Sequence, residues 1–410
     1  MRILLITDWL PGVGGTERYL SCVREGLHAA GDQTRLLTSS VGTAGDGSAD
    51  YRAFGSERVA AKVVLQIVNP FAVAAVGKAL REFRPDVALV GMYEYQLSPA
   101  VVTRLRDVPT VLAVGDYKAI CPLGSKLLPD GKLCQQRAGA VCWRSGCVSF
   151  PHWLRDRPRY ALIHSATQHA SRILACSRWM QRELALDGIE AEYVALPVSA
   201  PGPSFARQPS GVPLFVYCGR LHPTKGVPLL LQAFARLRRT VSSARLRIVG
   251  DGPQRDLLQH QVHRLGLQKA VSFRGWVSPN DVEHELADAW AVVVPSLWAE
   301  PLGLVALEAV VRGIPVVASA AGGLGETIEH GTSGLLFTNG DEDELSGLLA
   351  DVAARTAFPT HALPDGVVRD ALDRHDPKRH IALLRGIFRE LALPRVSDLA
   401  TGNSPPVLPM

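Results

Sequence analysis

Two series of short aliphatic or β-branched runs, each run followed by a longer helical pattern, constrain this chain more than any other feature. The first series comprises residues 2–7, 34–38, 87–90, 110–114 and 172–176, and the second comprises 214–218, 246–249, 271–274, 291–294 and 315–319. Alternating strands and helices point to parallel sheets, because parallel neighbours need a crossover long enough to hold a helix. Between the two series, residues 197–211 carry Pro197, Pro201, Pro203 and Pro209 with Gly202 and Gly211, too many breakers for either element. That stretch reads as a linker. At 410 residues the chain can bury two cores. The predicted organisation is an α/β domain over 1–200 with a cysteine-containing insertion, a second over 213–375, a helix over 376–393, and a tail over 394–410. The tail is rich in Pro, Ser and small residues and is expected to be disordered.

Apolar content of 47% and charged content of 20% fit an ordinary globular protein. A net charge of +5 allows contact with anionic ligands or a membrane surface, but no Lys/Arg block resembles a nucleic-acid arm. Residues 1–7 show no signal cleavage pattern, and Glu300 and Glu308 interrupt the best candidate for a membrane span. The expectation is a soluble cytoplasmic protein, able to sit peripherally at a membrane.

Glu300 and Glu308 stand eight residues apart in an otherwise apolar segment that begins with Pro301. Proline suits a first helical position, so a helix starting at Pro301 would leave the amides of Leu302, Gly303 and Leu304 free to face an anion. Gly303 would let a phosphate approach the backbone. Glu308 lies among Leu304, Val305, Leu307, Val310 and Val311, where an unpaired carboxylate is costly, so it needs a polar partner. A ribose diol beside a diphosphate would serve, as would backbone amides or an arginine.

Glycine loops follow several strands. Gly12-Val13-Gly14-Gly15-Thr16-Glu17 and Gly250-Asp251-Gly252-Pro253-Gln254-Arg255 both lack the last glycine of a dinucleotide fingerprint, and neither carries the Gly-Lys-Ser/Thr of a P-loop. Each loop alone is compatible with packing or with ligand contact. The loop Gly219-Arg220-Leu221-His222-Pro223-Thr224-Lys225-Gly226 places two cations after the first strand of the second series. Arginine offers a planar fork and lysine a compact charge, so together they can stabilise a diphosphate leaving group.

Taken in order, Gly14-Gly15, Gly219-Arg220 with Lys225-Gly226, Gly250-Asp251-Gly252-Pro253, Phe273-Arg274-Gly275-Trp276-Val277, the 300–308 segment and Gly322-Gly323-Leu324-Gly325-Glu326 resemble the retaining GT-B glycosyltransferases of family GT4. The resemblance spans about residues 1–390, and its most specific part is the spacing of Glu300 and Glu308. It implies two Rossmann-like domains facing across a cleft, with a helix over 378–391 crossing back to the first. A nucleotide-diphospho-sugar donor would be held mainly by the second domain. Arg220 and Lys225 would contact the diphosphate, Glu308 the ribose hydroxyls and Glu300 the donor sugar, with Leu302, Gly303 and Leu304 beside them. Gly14 and Gly15 would meet the donor from the opposite domain, Gly250 would join the donor-binding set, and the turn ending at Val277 would lie near the nucleobase. The reaction implied is retaining transfer to a hydroxyl acceptor, with no cofactor beyond the donor substrate and no metal.

One position departs from the pattern. Many relatives carry His-Asp after the fourth first-half strand, but here Gly115 precedes Asp116. Asp116 remains a catalytic candidate toward sugar or acceptor, or a capping carboxylate. The departure keeps open a catalytically idle sugar-nucleotide-binding or scaffold protein. Cys121, Cys134, Cys142 and Cys147 lie in one segment without paired C-x2-C knuckles, which suits separate reduced thiols, a zinc site or a redox cross-link. Trp143, Phe150 and Trp153 lie close by with Arg144, Arg155, Arg157 and Arg159, either as an acceptor lid or membrane-facing patch, or as an insertion packing its own aromatics.

Overall fold

The computed structural model describes residues 1–8, 15–41, 49–278 and 281–393. Strands β1 (Arg2–Ile6), β2 (Gln33–Ser39), β3 (Tyr51–Ala53), β4 (Val87–Val90), β5 (Thr110–Val114), β6 (Arg172–Ala175) and β7 (Glu192–Tyr193) form one sheet. Its order is β3-β2-β1-β4-β5-β6-β7, and every pair is parallel. The second sheet comprises β8 (Leu214–Cys218), β9 (Arg245–Val249), β10 (Val271–Gly275), β11 (Ala291–Val294), β12 (Val316–Ser319) and β13 (Gly334–Phe337). It is also wholly parallel, in the order β10-β9-β8-β11-β12-β13. Both sheets have the doubly wound order, which reverses beside the first strand of each. The two-domain α/β architecture expected from the alternation is the one observed.

The central strands are covered on both faces, which explains why Val87-Ala88-Leu89-Val90 reads as a continuous aliphatic run. Successive residues still divide between faces: Leu4 and Ile6 join one core, whereas Ile3 and Leu5 join another. That second core is completed from the far end of the chain. The helix Pro377–Ala392, capped by Asp376, buries Ile381, Leu384 and Phe388 against Tyr19, Val23 and Leu27 of the helix Gly15–Ala29. The C-terminal helix therefore closes the first domain's core.

The domains also meet at the base of their cleft, where Ala299, Leu302, Leu307 and Val311 share a core cluster with first-domain residues. Ser177 Oγ donates to the Pro301 carbonyl, and Arg178 N donates to Glu326 Oε2 at 2.8 Å. Residues 197–211 form no regular element, though Val198 N donates to the His375 carbonyl at 2.9 Å. The 394–410 tail lies outside the described residues.

Leu384 is fully buried, so Leu384→Ala removes a contact between the C-terminal helix and the first domain. The expected loss is about 2–5 kcal/mol, read as a lower midpoint in urea unfolding. An unchanged midpoint would show that the helix contributes little to that core.

Candidate active site

Ligands bind open parallel sheets outside the carboxyl ends of the strands, where the strand order reverses. In the second domain that point lies between β8 and β11, and the two loops leaving these strands are tied together. Leu297 N donates to the Thr224 carbonyl at 2.8 Å, and Ser319 Oγ, at the end of the neighbouring β12, steadies the β11 loop by donating to the Ser296 carbonyl at 2.6 Å. On the β8 side, Tyr217 Oη donates to the Arg220 carbonyl at 2.7 Å, and His222 Nδ1 lies 2.8 Å from Thr224 Oγ1. His222 thus shapes the cationic loop. Burial first, then Arg220 and Lys225, hold its pKa below the usual imidazole range.

These loops line a cleft of about 470 Å³ between the domains. From the second domain it receives Arg220, Lys225, Gly250, Val277, Glu300, Leu302, Gly303, Leu304 and Glu308, and from the first Gly15, Arg18 and Gly115. Gly14 lies outside the described residues. The expected second-domain residues therefore converge.

Glu300 is the most constrained of them. Its Oε1 accepts from Lys225 Nζ at 2.7 Å and from Ser296 Oγ at 2.5 Å. Burial pushes the carboxyl pKa up, but the charge and hydrogen bond of Lys225, helped by Ser296, outweigh it and leave the group below the usual carboxylate range. Lys225 Nζ also lies 5.0 Å from the centre of the Trp298 ring. The backbone of Glu300 is held by the 322–323 glycines: Gly323 N donates to the Glu300 carbonyl at 2.7 Å, and a Cβ on Gly322 would stand 2.4 Å from that oxygen. Gly322 also has φ +67°, so both its conformation and its clearance favour glycine.

The 300–308 segment is less helical than expected. The helix is Leu304–Val310, starting three residues after Pro301, and Gly303 precedes it at φ +85°. That left-handed conformation stops the helix from extending back, and the Pro301 carbonyl is engaged by Ser177. Leu302 and Gly303 are thus loop residues. Glu308 already has a polar partner, since Arg18 Nη2 of the first domain lies 3.0 Å from its Oε1. Nothing in the segment around Arg18 points to Glu308, so the pair is not legible in the sequence. Arg220 is exposed and makes no ion pair among the described residues.

Asp116 does not line the cleft, contrary to its expected contact with sugar or acceptor. Its carboxylate accepts from Tyr95 Oη at 3.1 Å and Lys118 N at 2.9 Å, beside the buried Asp8 and Glu94. Asp8 accepts from the amides of Tyr95, Gln96 and Leu97 at 2.8, 2.7 and 2.8 Å. Burial nevertheless pushes Asp8 up to about 6. Glu94 is raised as well, first by burial and then by the charge of Asp116. Gly115 presents no side chain to the cleft. His380 does line it; burial lowers its pKa to about 4, and its Nδ1 lies 2.9 Å from the Ala195 carbonyl.

Trp143, Phe150 and Trp153 pack on one another with centroids 5.4, 5.7 and 6.4 Å apart, so the insertion does pack its own aromatics. The four cysteines beside them are free thiols. Among the described residues, no three His, Cys, Asp or Glu side chains are grouped to hold a metal ion.

Two family descriptions match the chain side by side: a glycosyl transferase 4-like domain over residues 14–199, and glycosyl transferases group 1 over residues 204–358. The chain belongs to the GT4-type glycosyltransferases of the GT-B fold. It is 36% identical over 146 residues to a GDP-mannose-dependent α-(1-6)-phosphatidylinositol monomannoside mannosyltransferase of Mycobacterium tuberculosis, covering 34% of this chain and 38% of that protein. It is 30% identical over 298 residues to a glycogen synthase of the same organism, covering 69% of this chain and 63% of that one. The chain thus spans less than two thirds of each relative's length. The solved structure of HepE from Anabaena in complex with UDP superposes with a TM-score of 0.68 at 20% identity, covering 95% of this chain and all of that one. This last likeness is one of fold.

The raised Glu94 makes stability depend on pH. Between the unfolded carboxylate pKa of about 4.3 and its higher folded value, the folded protein keeps a proton that the unfolded chain has released, so stability falls as pH rises through that window. Glu94→Gln removes the part of this dependence that belongs to Glu94 and leaves that of Asp8 and Asp116. Its melting temperature should exceed that of wild type by more at pH 8 than at pH 5, with a difference of order 1 kcal/mol. Equal shifts at both pH values would mean that Glu94 ionises normally.

Proposed function

We propose that this protein transfers a sugar from a nucleotide-diphospho-sugar to a hydroxyl acceptor with retention of anomeric configuration. The observation that carries the reading is the convergence of Arg220, Lys225, Glu300 and Glu308 on one cleft at the point where the second sheet's strand order reverses. In this reading Arg220 and Lys225 face the diphosphate, Glu308 the ribose and Glu300 the sugar. Trp276, exposed at the cleft beside Val277, offers a ring face to the base. The bond between the anomeric carbon and the diphosphate oxygen breaks, the electron pair leaves with the diphosphate, and the acceptor oxygen attacks from the same face. The acceptor proton passes to the departing phosphate oxygen. The cations stabilise charge that grows on the leaving group, so they act on the transition state more than on the bound donor.

Relatives and neighbours differ in the nucleotide they name, GDP in one and UDP in another, so the base is chosen by experiment. UDP-, GDP-, ADP- and dTDP-sugars should be screened by thermal shift, where a ligand at 100 times its dissociation constant stabilises by about 2.7 kcal/mol. Product formation with acceptor, and the anomeric NMR signal of that product, then test transfer and retention. Donor binding with no transfer across a broad acceptor panel would leave a sugar-nucleotide-binding protein instead. Arg220→Ala is the cleanest variant, because the residue is exposed. Turnover should fall about 10²–10³-fold with a smaller change in donor affinity. A rise in KM alone would limit Arg220 to holding the donor.

On the acceptor side, the reading includes a peripheral membrane contact. Val59 and Val64 of the helix Val59–Ile67 are 79% and 65% exposed, with Phe54 and Phe71 exposed beside them. This helix packs on the helix Phe150–His169, which exposes Phe150, Leu154, Arg155 and Arg157. Apolar side chains next to cations suit an anionic bilayer surface. Among the described residues no single helix is long and apolar enough to cross a membrane. Val64→Glu should reduce co-sedimentation with phosphatidylglycerol vesicles and leave the melting temperature unchanged. Equal sedimentation of both proteins would remove the membrane from the proposal.

A further inference from the structure

Glu308 is engaged by a residue that the proposed reading leaves without a task. Arg18 stands in the first turn of the helix Gly15–Ala29, and its Nη2 crosses the cleft to Glu308 Oε1 at 3.0 Å. Both residues line the same cleft as Arg220 and Lys225. The guanidinium is 48% exposed and the carboxylate 17%, so the pair is wet on the arginine side. A pair of that kind adds little to stability and is readily exchanged. Burial alone therefore does not explain an ion pair between two domains at this place.

The charges around the cleft point to a reason. Lys225 is neutralised by Glu300 and Arg18 by Glu308, while Arg220 has no ion-pair partner among the described residues. A ribose diol at Glu308 would donate its hydroxyls to the carboxylate that now pairs with Arg18 through Oε1. The displaced guanidinium would then sit beside a diphosphate, the ligand its planar fork matches best.

We propose that Arg18 is a switching cation: as the donor binds, the ribose takes Glu308 and the Arg18 guanidinium passes to the diphosphate, drawing the first domain onto the nucleotide. This rests on the reading of Glu308 and of the cationic loop given above. Arg18 thereby acts as a positioning residue that couples occupation of the nucleotide site to contact between the domains. The exchange makes a prediction that a plain interdomain latch does not. Arg18 competes with a nucleoside for Glu308, but it assists a nucleoside diphosphate.

The test is calorimetry of the full chain with the nucleoside and nucleoside diphosphate pairs uridine and UDP, guanosine and GDP, adenosine and ADP, and thymidine and dTDP, using wild type, Arg18→Ala, Arg18→Lys and Glu308→Gln. With the base that the protein prefers, Arg18→Ala should bind the diphosphate at least about tenfold more weakly. It should bind the nucleoside as well as wild type or better, and Arg18→Lys should recover part of the diphosphate affinity. Glu308→Gln should weaken nucleoside and diphosphate by similar factors. If Arg18→Ala weakens both ligands alike, or neither, the switch is wrong and Arg18 is a latch or a bystander. If wild type itself binds none of the four diphosphates more tightly than its nucleoside, the diphosphate reading of the cleft fails and the switch falls with it. Should Glu308→Gln change nothing while Arg18→Ala loses only the diphosphate, the ribose assignment alone is overturned, and Arg18 becomes a fixed diphosphate ligand. Unchanged melting curves of the variants confirm that each comparison concerns binding and not folding.

Discussion

The ion pair between Lys225 and Glu300 is the interaction on which the arrangement of the cleft depends. A carboxylate taken out of water is tolerated only with a well-placed counter-charge and further hydrogen bonds, and Glu300 has both from Lys225 and Ser296. These groups come from the loops after β8 and β11, so the pair ties together the two loops that flank the reversal of strand order. Loop positions elsewhere answer to the same requirement. The 322–323 glycines bring a third loop onto the Glu300 backbone, and Trp298 stands beside the Lys225 ammonium. An ion pair in this setting contributes more to geometry than to net stability, because its desolvation cost offsets much of its attraction.

Two kinds of contact join the domains, and they have different consequences. At the base, Ala299, Leu302, Leu307 and Val311 share a core with the first domain, and the C-terminal helix is buried in that domain too. Such contacts have no easy exchange partner. At the mouth, Arg18 meets Glu308 as a half-exposed pair that a polar ligand can replace. The joint is therefore built mainly on apolar packing at the base, with Ser177, Arg178 and Arg182 adding polar contacts, and is ionic where the ligand is proposed to enter, which lets the mouth rearrange while the base stays packed.

The central strands were legible in the sequence because burial on both faces leaves a continuous aliphatic run, as in β4 and β11. The strands Tyr51–Ala53, Glu192–Tyr193 and Gly334–Phe337 were not, since each is at most four residues long and lies at or next to a sheet edge, where pairing and not composition defines it. In the site, Glu300, Lys225, Arg220 and Glu308 were legible because their spacing along the chain is distinctive. Arg18 and Ser296 were not: the first acts through a residue 290 positions away, and the second is an ordinary loop serine until its hydroxyl is seen on Glu300. The helix start was misplaced because a proline favours a first turn locally, whereas the left-handed conformation of Gly303 moved that turn onward.

Both domains gather carboxylates at the reversal of strand order, yet they neutralise them differently. In the first domain Asp8, Glu94 and Asp116 crowd together with few cations, and burial raises all three, so protons and backbone amides carry much of the compensation. In the second domain Glu300 and Glu308 are matched by Lys225 and Arg18, with Arg220 in surplus. A site compensated by protons offers an added anion no counter-charge, because a protonated carboxyl is neutral. A site compensated in part by an exposed cation, as Glu308 is by Arg18, can in the proposed exchange pass that cation to an incoming diphosphate. The shared topology thus supplies two crevices, and the chemistry of neutralisation, more than the fold, favours the second for the anionic half of the proposed donor.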